Sequence, residues 1–171
     1  MAFDKDTLNA LIIAPERMRA LHESGLLDTP EEDAFNRITR TICHELGAPM
    51  SLITLIDKDR QFFKSQSGLA ITSRQGPLSH SICKYVVLNE GPVVIDDVRT
   101  HPYTMDKLAL PTMGFMAYLG APLFSGGQII GSLCAVDRDP KIWSDENVDI
   151  LQDMADVAML AIEARKTKLK P

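Results

Sequence analysis

Three cysteines, a Ser-His-Ser run and a pair of aspartates are the side chains here with the widest chemical reach. Cys43, Cys83 and Cys134 are far apart in sequence and form no CxxC, so neither a zinc ribbon nor a dithiol redox motif is written in their spacing. His44 adjoins Cys43, yet neighbours on a helix diverge by about 100° and do not share a metal. Ser79, His80 and Ser81 carry no nucleophile-elbow signature, and sequence neighbours do not assemble a hydrolase triad. Asp96 and Asp97 follow an apolar Val-Val-Ile run. Consecutive strand residues point to opposite faces, so one is expected to cap the loop at Val98-Arg99 and the other to face inward, with no metal between them.

Composition sets the frame for these groups. A chain of 171 residues with 45% hydrophobic and 24% charged content has the makings of one soluble domain with a core. Its net charge of −5 argues against broad nucleic-acid binding, which needs a basic surface. The cations Arg165, Lys166, Lys168 and Lys170 suit the end of a helix, where they complement its dipole. Apolar runs are too short to span a membrane, and the acidic start before Leu11-Ile12-Ile13 is no signal peptide. An odd number of separated thiols fits a reducing, cytoplasmic setting. Residues 1–14 read as a leader or the start of a first helix, 15–167 as a single domain and 168–171 as a tail.

The elements that must position these groups are marked by local signals. Pro15 opens a helix closed by Gly25. Thr29-Pro30-Glu31-Glu32 has the form of a capping box ahead of a helix carrying Phe35, Ile38, Ile42 and Leu46 on one face. Met50 to Ile56 reads as a strand with Arg60 to Ser65 as hairpin partner, Phe62 and Lys64 on one face and Phe63 on the other. Gln66 to Gly76 reads as a loop, Pro77 to Val87 as a short helix, Val93 to Ile95 as a strand. Asp96 to Thr112 is a loop with a helical turn near Tyr103 to Leu108. Two strands then flank Gly126-Gly127, whose positive φ suits a tight hairpin, and a last helix follows Trp143. The order predicts an α+β fold.

In this order the residues resemble the GAF domain family. The resemblance rests on GLLDTPEEDAFNRITR, SLITLIDKDRQFFKSQSGL, SHSICKYVV, VVIDDVRTHPY, YLGAPLF and IIGSLCAVDRDP with WSDENVDILQDMA, over roughly Arg17 to Arg165. It implies a central antiparallel sheet of five to six strands. N- and C-terminal helices are expected on one face, with a short helix and loops over a pocket on the other. On that basis Thr54, Phe62, Lys64, Ile82, Cys83, Asp97, Tyr118 and Ser132 are the expected ligand-binding residues, with Met105, Met113 and Met116 near the mouth. The function implied is a non-catalytic sensory or regulatory domain of signal transduction, binding a small molecule or serving as a dimerisation module. The residues name no particular cofactor. Bilin-carrying relatives usually place His after the attachment cysteine, and Lys84 stands there instead. The Asn-Lys-Phe-Asp-Glu pattern of cyclic-nucleotide binders is missing. A thiol-dependent methionine sulfoxide reductase centred on Cys83 is the enzymatic alternative, although the cysteine spacing departs from that pattern.

The final helix adds an expectation that needs no resemblance. Val148, Leu151, Ala155, Ala158 and Ile162 form one apolar stripe, and Ile150, Met154, Val157 and Ala161 form a second. One suits the sheet. The other predicts a homodimer through the terminal helices, with no nucleic acid or membrane as partner.

Overall fold

This computed structural model of the chain describes residues 4–70 and 73–169. Residues 1–3 of the expected leader, 71–72 of the expected loop and 170–171 of the expected tail lie outside the described residues. In chain order the elements are α1 (Lys5–Ile12), α2 (Pro15–Glu23), α3 (Asp33–Leu46), β1 (Met50–Ile56), β2 (Arg60–Ser67), β3 (Gln75–Pro77), a 3₁₀ turn (Leu78–His80), α4 (Tyr85–Asn89), β4 (Val93–Ile95), α5 (Ala109–Thr112), β5 (Ala117–Ser125), β6 (Gln128–Asp137) and α6 (Asp145–Leu169).

Six strands form one sheet in the order β3-β2-β1-β6-β5-β4, with every neighbouring pair antiparallel. The fold is therefore α+β. The β5–β6 hairpin turns at Gly126 (φ 57°) and Gly127 (φ 76°), both in the left-handed region that two-residue hairpin turns demand. At the start of α6, Ser144 Oγ accepts from Asn147 N at 3.0 Å while Ser144 N donates to Asn147 Oδ1 at 3.0 Å. This reciprocal cap satisfies helix-end donors. Trp143 Nε1 donates to Ile95 O at 3.1 Å, which moors the helix entry to strand β4.

Helices α2, α3 and α6 cover one face of the sheet. Phe35, Ile38, Ile42 and Leu46 of α3 meet Leu151, Ala155, Ala158 and Ile162 of α6 and Ile53, Leu55 and Leu133 of the sheet in one buried cluster. The opposite face carries a second cluster, which includes Val86 and Val87 of α4 together with Leu8 and Ile12 of α1. The first helix of the chain thus packs on the α4 side, while the two that follow lie with α6. Arg17 marks the crossing point. Its guanidinium is buried and donates from Nε to Ile12 O at 2.7 Å and from Nη1 to Ile129 O at 3.3 Å, and loss of hydration lowers its pKa to about 10.

Two local expectations are corrected. Thr29 does not cap α3, which begins at Asp33 with Glu32 as its N-cap residue and no side-chain cap bond. Thr29 Oγ1 instead donates to Leu26 O at 2.5 Å and accepts from Lys64 Nζ at 2.6 Å, while Glu32 pairs with Lys64 and Arg165. A buried lysine needing partners has claimed the groups of the capping box. The single helix expected across 77–87 is split into the 3₁₀ turn and α4, in keeping with its β-branched content.

Candidate functional site

Side chains of β1, β2, β5 and β6 alternate between the two faces, and those on the α4 side line a cavity of about 390 Å³. Leu52 and Thr54 of β1, Gln61 and Phe63 of β2, Tyr118 of β5 and Cys134 and Val136 of β6 form its floor. Its walls come from Leu69, Ala70, Ser73 and the β3 strand, from His80 of the 3₁₀ turn with Ile82 and Cys83 after it, and from Met113 and Phe115 after α5. The size falls in the ordinary range for small-molecule sites, and the mix of apolar wall with a few polar groups is the usual one.

Polar groups converge at the centre of the floor. Thr54 is 1% exposed, and its Oγ1 is buried without a hydrogen-bond partner among the described residues; the Cys83 thiol is its polar neighbour. The Tyr118 hydroxyl shares a 3.1 Å hydrogen bond with Ser132 Oγ. Gly120 makes that placement possible, because a Cβ there would come within 2.3 Å of the Tyr118 hydroxyl oxygen. Cys83 and Cys134 face one another with their sulfurs 3.8 Å apart. The hydrogen bond between the two sulfurs holds the Cys83 thiol below its ordinary range, against the effect of burial. Burial pushes the Cys134 thiol and the Tyr118 phenol well up.

Of the expected site residues, Thr54, Ile82, Cys83 and Tyr118 line the cavity, and Met113 stands on its wall. Ser132 lies on the same face, fully buried beneath Tyr118. Phe62 and Lys64 do not reach it. Phe62 belongs to the helix-covered core, and Lys64 Nζ bonds to Thr29 Oγ1, Pro30 O and Glu32. The reason is register: Thr54 pairs with Phe63, and a bulge follows between Ile53 and Thr54. Between the bulge and the turn, Thr54 and Ile56 of β1 therefore share a face with Phe63 and Gln61 of β2, whereas beyond it Ser65 turns to Thr39 of α3. Asp97 is not in the lining either. Its carboxylate binds the Arg99 guanidinium at 3.0 and 2.8 Å and the Arg99 N–H at 2.9 Å, and these bonds lower its pKa to about 2. Asp96 turns towards α6, accepting from Trp143 N at 3.2 Å, so neither aspartate faces the cavity. Met105 is 57% exposed and outside the lining; Met116 packs against the second core cluster.

Sequence reasoning missed Gln61, Phe63 and Phe115, and above all the meeting of Cys83 with Cys134. Counting the parity of β2 back from the Asp57–Asp59 turn would have found the first two. Nothing in the spacing of the cysteines signals their meeting, since it depends on how the α4 segment folds over β6.

The family model described as GAF domain matches residues 30–162. A cyclic di-GMP phosphodiesterase of Pseudomonas aeruginosa is 30% identical over 159 residues, covering 88% of this chain and 26% of that protein. The chain thus spans about a quarter of the length of that curated relative. The free methionine-R-sulfoxide reductase of Neisseria meningitidis, solved with its substrate, superposes with a TM-score of 0.65 at 22% identity, over 99% of this chain and 96% of that one. The GAF domain of an Acinetobacter phosphoenolpyruvate-protein phosphotransferase does so with a TM-score of 0.65 at 16% identity, over 99% of both chains. At these identities the two structures show a shared fold alone.

Proposed function

We propose that this chain, which belongs to the GAF domain family, is a non-catalytic sensory module that takes a small molecule between its sheet and the α4 segment. The Thr54 hydroxyl carries this reading. A buried hydroxyl without a partner costs about 1–3 kcal/mol, and a ligand's polar atom in the cavity would offset that cost. The apolar walls suit a compact ligand with one or two hydrogen-bonding groups. The test strips the chain purified from its host, returns the extracted small molecules and follows binding by calorimetry. Thr54→Val should weaken binding by about tenfold; equal affinity in both forms overturns the reading.

Binding would shift the 66–76 and 96–112 connections, provided the ligand prefers one arrangement over another. Leu8 and Ile12 of α1 share a buried cluster with Val86 and Val87 of α4, so displacement at the cavity wall has a packed route to the N-terminal helices. The output would be a signalling enzyme, attached or separate, in the cytoplasm. The likeness to part of a phosphodiesterase supports an input role of this kind.

Dimerisation through α6 is part of the same proposal, with a narrower surface than the second stripe implies. Ile150, Met154 and Ala161 pack against the core cluster, whereas Val157 is 46% and Leu160 72% exposed. Light scattering should find a dimer, converted to a folded monomer by Val157→Glu with Leu160→Glu. A wild-type monomer at high concentration removes the interface from the account.

A thiol-dependent reductase centred on Cys83 is the second reading, favoured by the adjoining Cys134 thiol. It demands turnover of methionine sulfoxide that Cys83→Ser abolishes.

A further inference from the structure

Two thiols that lie 51 residues apart in sequence meet inside the cavity, Cys83 Sγ to Cys134 Sγ at 3.8 Å. Cys83 sits on the bend between the 3₁₀ turn and α4, and Cys134 lies within β6. A disulfide needs its sulfurs about 2.05 Å apart, so the gap must close by about 1.8 Å. One partner is fixed in the sheet, while the other belongs to a short connecting segment that forms a cavity wall. Side-chain rotation with a small shift of that wall closes the distance. Both cysteines line the cavity, and a small reagent that enters it meets Cys83 first, which is 5% exposed against 0% for Cys134. Cys43 lies on α3, on the far side of the sheet.

We propose that Cys83 and Cys134 are a hydroperoxide-sensitive dithiol that closes reversibly to a disulfide across the cavity floor. The substrate class follows from the surroundings. A small uncharged peroxide enters an apolar cavity without the desolvation cost that a charged oxidant meets. Cys83 is the attacking sulfur, because it stands on the cavity wall and is 5% exposed, whereas Cys134 is fully buried within β6. Its sulfur takes the terminal peroxide oxygen, the O–O bond breaks, and the thiol proton leaves on the departing alcohol or water. Cys83 is then a sulfenic acid. The Cys134 sulfur attacks the Cys83 sulfur, the S–O bond breaks, and hydroxide leaves with the Cys134 proton as water. Two thiols have lost two electrons, and one peroxide has been reduced. An external thiol reverses the step by exchange. Closure draws the Cys83 wall towards β6 and changes the shape of the cavity. The reaction stands apart from the sensory reading, because it proceeds in ligand-free protein and needs no turnover.

The test treats the purified chain with an equivalent of hydrogen peroxide. The protein is then denatured, alkylated with N-ethylmaleimide and mapped by tryptic mass spectrometry. Cys43 should be alkylated while Cys83 and Cys134 appear as one linked peptide pair, and dithiothreitol should restore all three adducts. In Cys134→Ser the Cys83 sulfenic acid should be trapped by dimedone. In Cys83→Ser, Cys134 should lose its thiol about tenfold more slowly. If a variant fails to fold, the map of the wild-type chain decides alone. Full alkylation of Cys83 and Cys134 after peroxide treatment, or a disulfide involving Cys43, overturns the proposal.

Discussion

The two faces of the sheet are built to different rules. On the side of α2, α3 and α6, large side chains interlock and polar groups are spent on one another. Lys64 is buried among Thr29, Pro30 and Glu32, and Arg165 holds Glu32 at 2.8 Å and Gly25 O at 2.7 Å. On the side of α4, helices are short, connections are long, and the floor keeps a hydroxyl without a partner and two thiols facing a cavity. One face binds the chain to itself; the other holds hydrogen-bonding and thiol groups in reserve. Substitutions on the first should therefore act on stability, and those on the second on ligand and thiol chemistry.

The largest contrast should come from aromatic truncation. Phe35 is 1% exposed within the helix-side core, and Phe35→Ala should cost about 3–5 kcal/mol. Phe115, part-buried at the cavity wall, should cost less than about half as much when truncated. Urea denaturation of both variants measures the difference, and equal losses would break the comparison.

Next in size is Lys64→Ala, expected to cost about 2–3 kcal/mol because Thr29, Pro30 and Glu32 lose a shared donor. Cavity ligand binding should be unaffected, since Lys64 lies on the other face. A change in ligand affinity without a loss of stability would return Lys64 to the cavity.

The same cluster should shape the acid limb of the stability curve. Burial alone would raise the Glu32 carboxyl, but hydrogen bonds from Lys64 and Arg165 outweigh it and hold the group below its ordinary 4.5. A carboxyl depressed in the folded state contributes stability that is present above that ordinary value. The contribution is lost as pH falls through the folded value. Thermal melts between pH 3 and 7 should fall less steeply for Glu32→Gln than for the wild type.

The smallest effect expected is that of Thr54→Val on stability. Removing an unpartnered buried hydroxyl at nearly constant shape should leave the unliganded chain within about 1 kcal/mol of wild type, or slightly firmer. A loss beyond that would mean the hydroxyl serves the fold and not a ligand.

The sequence carried the sheet, the hairpin and the apolar stripe of α6 on Leu151, Ala155, Ala158 and Ile162, because each is a local pattern of period, turn or cap. It carried four cavity residues, Thr54, Ile82, Cys83 and Tyr118, through the family resemblance. It misplaced Phe62 and Lys64 because the face of a strand depends on the turn that precedes it. A single residue of register exchanges the faces, and here Thr54 lies across from Phe63. Asp97 was assigned inward, whereas its neighbour Arg99 satisfies it within the loop. The capping box at Thr29 was a sound local motif overridden by a lysine 35 residues away. Long-range demands of this kind, like the meeting of Cys83 with Cys134, leave no mark in local spacing.

Native mass spectrometry of the chain purified from its own host tests the division of the two faces most directly. One small molecule should be retained per protomer, lost in Ile82→Trp, which fills the cavity from its wall, and kept in Lys64→Ala. A wild-type chain carrying no small molecule, or one whose retention depends on Lys64 and not on Ile82, would contradict it.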